Sequence, residues 1–419
     1  MLNKDGAREL AYVVIIDGIE PIEGYDRVEH AIVGGWRVIV QKGQFKVGDP
    51  AIYFEIDSRV PADHECFAFL EKRHYKVKTL KMCKTLSQGL LMHASDFGWT
   101  IYNKITPDAY GTCVIDTDVA IIDDSGEAHR ANDESRFLTK KLGVTYADDE
   151  DNSRKAPSVD KYKKMASRHP AIFKNGWARW LMRREWGRKL MFFFFGKKKD
   201  KKNGWPSWVQ KTDEERVQNM PWILNSTDKW IATEKIDGTS TTFTMKRGKF
   251  GRKSFYVCSR NVCFGEENKP CYYDTNVYWE MAKKYDIYNI LSAMLDIFSN
   301  EEWITIQGET YGDGVQKRDY SLKEHEFAAF NLIFSSRGRV STLEMIDLLW
   351  KKYNIPCVPV VEENIDFTDK FACVEDMLLW AEGESKVDGL PREGIVFRTM
   401  DGQKSFKAVS NSFLLKYHE

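Results

Sequence analysis

Thr233-Glu234-Lys235-Ile236-Asp237-Gly238-Thr239-Ser240 follows directly on the apolar run Trp230-Ile231-Ala232. A strand that ends in Lys-x-Asp-Gly presents an amine at a tight turn. A lysine is protonated at neutral pH and attacks nothing. Burial or a neighbouring cation lowers its pKa and frees the lone pair. Gly238, without a Cβ, lets the backbone approach a partner closely. The plain alternative is a surface Asp-Gly turn, so the decision rests on the rest of the chain.

Further charged and aromatic residues stand at the ends of later apolar runs. Ser259-Arg260-Asn261 follows SFYVC, and Glu309 lies in QGETYG after WITI. Phe330 sits in FAAFNLIF, Glu393 opens EGIVFR, and Lys407 lies in SFKAVSNSFLLK. Together with Lys235 they form a chemical set. Two carboxylates can hold a divalent metal and a ribose. An arginine and a second lysine neutralise phosphates as charge develops. An aromatic ring stacks on a base. Neither a G-x-x-x-x-G-K-[ST] loop nor a strand followed by G-x-G-x-x-G occurs, so a triphosphate would not be held by those devices.

Working outward, residues 211–419 alternate strand-like runs with two helical patterns, Thr275 to Leu295 and Ser341 to Tyr353, which predicts an α+β domain. Residues 1–115 read differently. Short apolar runs broken by Asp17-Gly18, Gly34-Gly35, Lys42-Gly43 and Gly48-Asp49-Pro50 predict an OB-like β-barrel. That domain carries EKRHYKVKTLKMCK (Glu71 to Lys84), where lysines alternate with apolar residues. On a strand this puts charge on one face, suited to a phosphate backbone or to water. Residues 116–210 form a linker or insertion. Within it, Arg183 to Lys202 interleaves basic residues with Phe192 to Phe195, a pattern that fits single-stranded nucleic acid, a surface partner or a solvated insert.

The chain has 419 residues, enough for two or three domains. Its 62 basic and 62 acidic side chains cancel, so any nucleic-acid binding needs a local basic patch. No long apolar run predicts a membrane span. The polar start, Met1 to Leu10, predicts no signal peptide. Eight scattered cysteines without a short Cys-x-x-Cys knuckle read as reduced thiols, which points to a cytoplasmic setting with nuclear and viral contexts open.

The motifs EKIDG, SRN, GETYG, AFNLIF, EGIVFR and SFKAV resemble those of the covalent nucleotidyltransferase superfamily of ligases and capping enzymes. Within it the chain is most similar to ATP-dependent RNA ligases of the nick-sealing type with an N-terminal OB domain, the Deinococcus RNA ligase-like group. KTDEERVQN (Lys211 to Asn219) and the N-terminal stretch from GWRVIVQKG to SQGLL add to the resemblance. It spans Ala11 to Trp99 and Thr212 to Tyr417. It makes residues 211–419 the nucleotidyltransferase domain.

The resemblance implies roles. Lys235 becomes Lys–AMP, with Asp237 fixing the lysine or the ribose. Glu234, Ile236 and Gly238 belong to the nucleotide site. Glu309 contacts the ribose or a metal, Phe330 stacks on adenine, and Glu393 binds the catalytic metal. Lys407 meets the α-phosphate and favours the neutral form of Lys235. Arg260 and Arg216 meet phosphates of RNA or of the triphosphate. ATP and Mg²⁺ or Mn²⁺ are the implied cofactors, and RNA with 5′-phosphate and 3′-hydroxyl ends in a nicked duplex is the implied partner of a monomer. One departure stands out. Many relatives carry two lysines separated by one residue in the last motif. Here Val409 and Ser405 hold those places, leaving Lys404 or Lys416 as the substitutes. The rivals are a DNA ligase or guanylyltransferase on the same scaffold, and a non-catalytic RNA-binding protein.

Overall fold

Branched and aromatic residues at alternate positions, separated by glycines at positive φ, fold the first part of the chain into short antiparallel strands. The computed structural model describes residues 1–107, 113–147, 205–265, 271, 273, 275–318 and 320–417. Met1–Ala147 with Val209–Glu419 forms one compact unit, and Asp148–Trp208 forms another. The basic-aromatic segment, Arg183 to Lys202, lies outside the described residues.

The N-terminal domain contains β1 (Ala11–Ile15), β2 (Gly18–Ile22), β3 (Tyr25–Val33), β4 (Trp36–Gln41), β5 (Pro50–Phe54) and β6 (Ser58–Arg59). After a 3-10 helix, Glu65–Arg73, come β7 (Thr79–Met82), β8 (Thr85–Gln88), β9 (Leu90–Met92), β10 (Thr100–Pro107), β11 (Cys113–Ile122), β12 (Ala128–Arg130) and β13 (Thr145–Tyr146). The sheets run β1-β5-β9, β2-β3-β4, β7-β8, β10-β11-β12 and β13-β6. The expected boundary at residue 115 falls inside β11. The N-terminal core runs on past it, because Leu138, Leu142 and Val144 pack with Val13, Ile52 and Phe54. Asp123, inside the stretch expected to be a linker or insertion, therefore sits in this domain. Its carboxylate meets His129 Nε2 at 2.8 Å and also pairs with Lys141.

The second domain has two antiparallel sheets. One is β21-β14-β22-β23, built from β14 (Trp230–Lys235), β21 (Val360–Ile365), β22 (Gly394–Thr399) and β23 (Ser405–Val409). The other, β17-β16-β15-β18-β19-β20, uses β15 (Thr239–Arg247), β16 (Lys253–Cys258), β17 (Cys263–Phe264), β18 (Trp303–Gly312), β19 (His325–Phe334) and β20 (Gly338–Arg339). Helices Val277–Lys284 and Ile287–Ile297 cover the second sheet through Met281, Leu291 and Met294. The sequence suggested a single helix there. Asp286, at φ 50°, breaks it, a left-handed position that aspartate tolerates better than most residues. Likewise the pattern at Ser341 to Tyr353 begins as Thr342–Ile346, capped by Ser341, and widens into a π turn at Asp347–Lys351.

The two domains share an interface that reaches the second domain's last strand. Leu86 packs with Val409 and Leu414, and Gln88 Nε2 donates to Asn411 Oδ1 at 3.3 Å. A Cβ at Gly35 would lie 2.7 Å from Val374 Cγ1, so the glycine permits this close approach. Arg216 lies over the buried Trp36 ring at 5.7 Å.

Candidate active site

Lys235 ends β14, paired in register with Gly394 at the head of β22, and this register brings Glu393 beside it. The Lys235 Nζ to Glu393 Oε2 distance is 2.6 Å. Strand alternation sends neighbouring side chains to opposite faces. The Glu234 carboxylate accordingly turns elsewhere, accepting from Ser385 Oγ and, at 2.8 Å, from the Lys386 N–H. Ile236 is buried among Tyr311, Tyr320 and Val358. Gly238 is required sterically, since a Cβ there would stand 2.3 Å from the Thr310 carbonyl oxygen.

A cavity of about 340 Å³ opens at this turn, bordered by Lys235, Asp237, Glu309, Phe330, Glu393 and Lys407, with Glu234, Ile236, Gly238 and Arg260 also on its wall. Glu309 projects from β18 opposite Ser240. Phe330 is aimed by a β-bulge. Gln307 faces Asn331 and Gly308 faces Ala329, which leaves Phe330 as the extra residue. Arg260 is at the tip of a hairpin closed by Ser259 N–H to the Val262 carbonyl at 2.8 Å, and it pairs with Asp213 at 2.6 Å. The TDEER and SRN segments thus meet at the cavity mouth.

Lys407 comes from β23, and its N–H donates to the Glu215 carbonyl at 2.8 Å. Arg216 forms a parallel bridge with it. Arg216 is outside the cavity wall and over the Trp36 ring, with its Nη1 buried and unpartnered. It is a positive neighbour of Lys407. Lys404 instead pairs with Asp228 at 2.7 Å, and Lys416 lies over Tyr417 at 5.0 Å.

The electrostatics differ from the sequence expectation for Lys235. Burial would lower its pKa, but Glu393, Glu309 and Asp237 outweigh burial and raise it. The cation is held charged by carboxylates, and Lys407 is the lysine whose pKa falls. Burial, Lys235 and Arg216 push Lys407 down to about 8. Burial and the neighbouring acids push Glu309 up to about 8. Burial and Glu393 push Asp237 up to about 6.

Sequence reasoning missed several residues here. Arg398 is buried at the cavity wall, its guanidinium carbon 5.9 Å from the Phe330 ring centroid and its Nη1 donating to Thr233 Oγ1 at 3.1 Å. No sequence signal marked it, because alternation counted from Glu393 selects Ile395 and Phe397 instead. Glu214 pairs with Arg339 at 3.4 Å and Arg398 at 3.6 Å.

An N-terminal β domain joined to a two-sheet domain, with a lysine at a strand end facing carboxylates and a second lysine, is the arrangement that the resemblance to nucleotidyltransferases implies. Comparisons narrow this. Residues 228–418 match the RNA ligase family model, and residues 10–94 match an OB-fold domain model. The second domain thus carries the RNA ligase family match, and the N-terminal domain carries the OB-fold match. Solved structures of a Naegleria gruberi RNA ligase share the fold. A glutamate-to-alanine mutant with ATP and Mn aligns at TM-score 0.61 and 24% identity, covering 98% of this chain and 100% of that one. The enzyme with PPi aligns at TM-score 0.61 and 24% identity, covering 98% and 99%. A further mutant with AMP and Mn gives TM-score 0.60 at 24% identity, covering 98% and 99%. No curated protein sequence matches significantly. Among the described residues, no helix is long and apolar enough to cross a membrane.

Proposed function

We propose that this chain is an ATP-dependent ligase that seals 3′-hydroxyl and 5′-phosphate ends in duplex RNA through an adenylate on Lys235. The observation that carries the reading is the convergence of Lys235, Glu393, Glu309 and Lys407 on one cavity beneath Phe330. The Naegleria structures with ATP or AMP and Mn support ATP and a divalent ion as partners.

The donor set fits such an ion. Glu309, held up to about 8, and Asp237, held up to about 6, show three acids with Glu393 crowded around one lysine, so that they resist being charged together without a further cation. Glu393 and Glu309 would hold the ion. When bound, it would clamp phosphate oxygens and relieve the carboxylate charge that keeps Lys235 protonated.

Lys235, as the neutral amine, attacks the α-phosphorus of ATP. The N–P bond forms, the bond to pyrophosphate breaks, and the amine proton leaves. Lys407 and Arg216 supply positive charge as negative charge grows on the phosphates. A 5′-phosphate oxygen then displaces Lys235 from that phosphorus, and the amine regains its proton. The 3′-hydroxyl attacks the activated 5′-phosphate, and AMP leaves. Phe330 offers a ring for the adenine, and Arg260 at the mouth offers a cation for the RNA end.

The test is label transfer from α-labelled ATP with Mn²⁺ to the denatured protein. Label on wild type and none on Lys235→Ala supports the reading. No label from ATP, GTP or NAD on AMP-free protein would replace it with non-catalytic RNA binding. Comparing nicked duplex with single-stranded RNA tests the duplex part, and faster joining of single strands would overturn it.

A further inference from the structure

A second concavity, of about 430 Å³, shares no wall residue with the Lys235 cavity. It lies on the N-terminal domain, bordered by β4, the 3-10 helix Glu65–Arg73 and the β7–β9 segment. Its lining is partly apolar, including Val40, Leu80 and Leu90. Two large apolar side chains on it stand in solvent, Phe69 at 61% and Met82 at 41% exposure.

The charge around it is one-sided. Glu71 to Lys84 holds six lysines and arginines against Glu71 alone, in a chain whose total charge is zero. Lys72, Arg73, Lys78, Lys81 and Lys84 make no ion pair among the described residues, and Arg73 and Lys78 line the groove. The lining carboxylate, Asp96, already accepts the His93 N–H at 2.9 Å. Free cations beside an exposed aromatic ring match the chemistry of a strand with phosphates on one side and unstacked bases on the other.

The groove is also coupled to the ligase domain. Ser87 Oγ accepts the Ile39 N–H at 3.0 Å, which fixes β8 on β4. Leu86 on β8 then packs against Val409, the last residue of the strand that carries Lys407.

We infer that this groove binds an unpaired RNA strand, with phosphates on Arg73 and Lys78 and a base stacked on Phe69. The inference rests on the ligase reading and deepens it. The substrate would carry a single-stranded flank beside the duplex that holds the break.

The experiment is fluorescence anisotropy without ATP, using a labelled single-stranded RNA of roughly 12 nucleotides. Phe69→Ala is expected to weaken binding about tenfold without changing its salt dependence. Arg73→Gln with Lys78→Gln is expected to reduce the log–log salt slope by about 1.4, since each single-strand phosphate contact contributes ~0.7. Lys4→Gln, outside the groove, should leave both unchanged, and melting midpoints verify folding. Wild-type affinity and slope in the groove variants would overturn the inference, as would tighter binding of a blunt duplex that ignores Phe69→Ala. ATP takes no part, so failed Lys235 labelling would sink the ligase reading alone. Normal labelling with unaltered RNA binding would sink the groove alone.

Discussion

The Tyr320 hydroxyl accepts the Asp237 N–H at 2.8 Å and thereby pins the turn that follows Lys235. Behind it, Arg318 lies over the Tyr320 ring at 4.1 Å and pairs with Asp388 at 2.7 Å. The Arg318 side chain is fully enclosed, so this support is stiff. Tyr320→Phe keeps the ring and removes the acceptor. An unpaired N–H at this site costs about 1–3 kcal/mol. The expected result is an order-of-magnitude slower Lys235 labelling at saturating ATP, since small misplacements of a nucleophile are expensive. An unchanged rate would show that the hydroxyl does not position the turn.

Divalent-ion binding should depend on pH in a defined direction. Glu309, at about 8, is largely protonated at neutral pH, and Asp237, at about 6, is half protonated one unit lower. An ion must displace those protons. Affinity for Mn²⁺ should therefore rise between pH ~6 and ~8, by up to about tenfold per unit, and level off above. Near neutrality, binding should release roughly one proton, measured by calorimetry in buffers of different ionisation heat. Glu309→Gln should abolish most of the release. The linkage also has a sign for stability. A carboxyl raised in the folded state favours folding at low pH and loses that contribution through its folded pKa. The metal-free melting midpoint should fall over the same window, and Mn²⁺ should restore it.

Much of this site was legible because strand ends are local features. EKIDG and GETYG place a charge where an apolar run stops and EGIVFR where one starts, and sheet register then joins Lys235 to Glu393. The support behind the site was not legible. Arg318 and Asp388 lie in irregular segments, where no periodicity marks which charges will be buried together. The extent of the N-terminal core was hidden for a similar reason. Leu138, Leu142 and Val144 sit among polar residues, and only the folded chain shows that they complete a core begun at Leu10. Phe330 was found by its motif, but its aim depends on a bulge that no residue in AFNLIF announces.

Gly238 should resist even alanine. The added Cβ would meet the Thr310 carbonyl oxygen at 2.3 Å and Glu309 Cγ at 2.9 Å. Both belong to β18, which is paired with β15 from Thr239 onward, so relief requires a backbone shift that carries Glu309 with it. Gly238→Ala should cost about 1–3 kcal/mol of stability and slow labelling by roughly a hundredfold. Gly18→Ala is the matched control, because its Cβ meets Ile32 Cγ1 at an ordinary 3.5 Å. Equal behaviour of the two variants in melting and labelling would refute the steric account.

Arg216 offers the sharpest separation between a phosphate contact and an electrostatic neighbour. Lys407 is held down to about 8 by burial, by Lys235 and by Arg216. Its cation is lost as pH rises through that value, so Lys235 labelling should decline on the alkaline side. Arg216→Met keeps a long apolar side chain against Trp36 and removes one positive neighbour. With that repulsion gone, the Lys407 pKa rises toward its ordinary value, and Lys407 stays charged to higher pH. The alkaline limb of the labelling profile should therefore move up by several tenths of a unit or more, even though the variant is slower at its optimum. If Arg216 acted only by touching phosphate, the rate would drop and the limb would stay in place. A pH series of initial labelling rates for both proteins, under saturating ATP and Mn²⁺, separates the two. The same series on Lys404→Met should show neither effect, because Lys404 is committed to Asp228 away from the cavity wall.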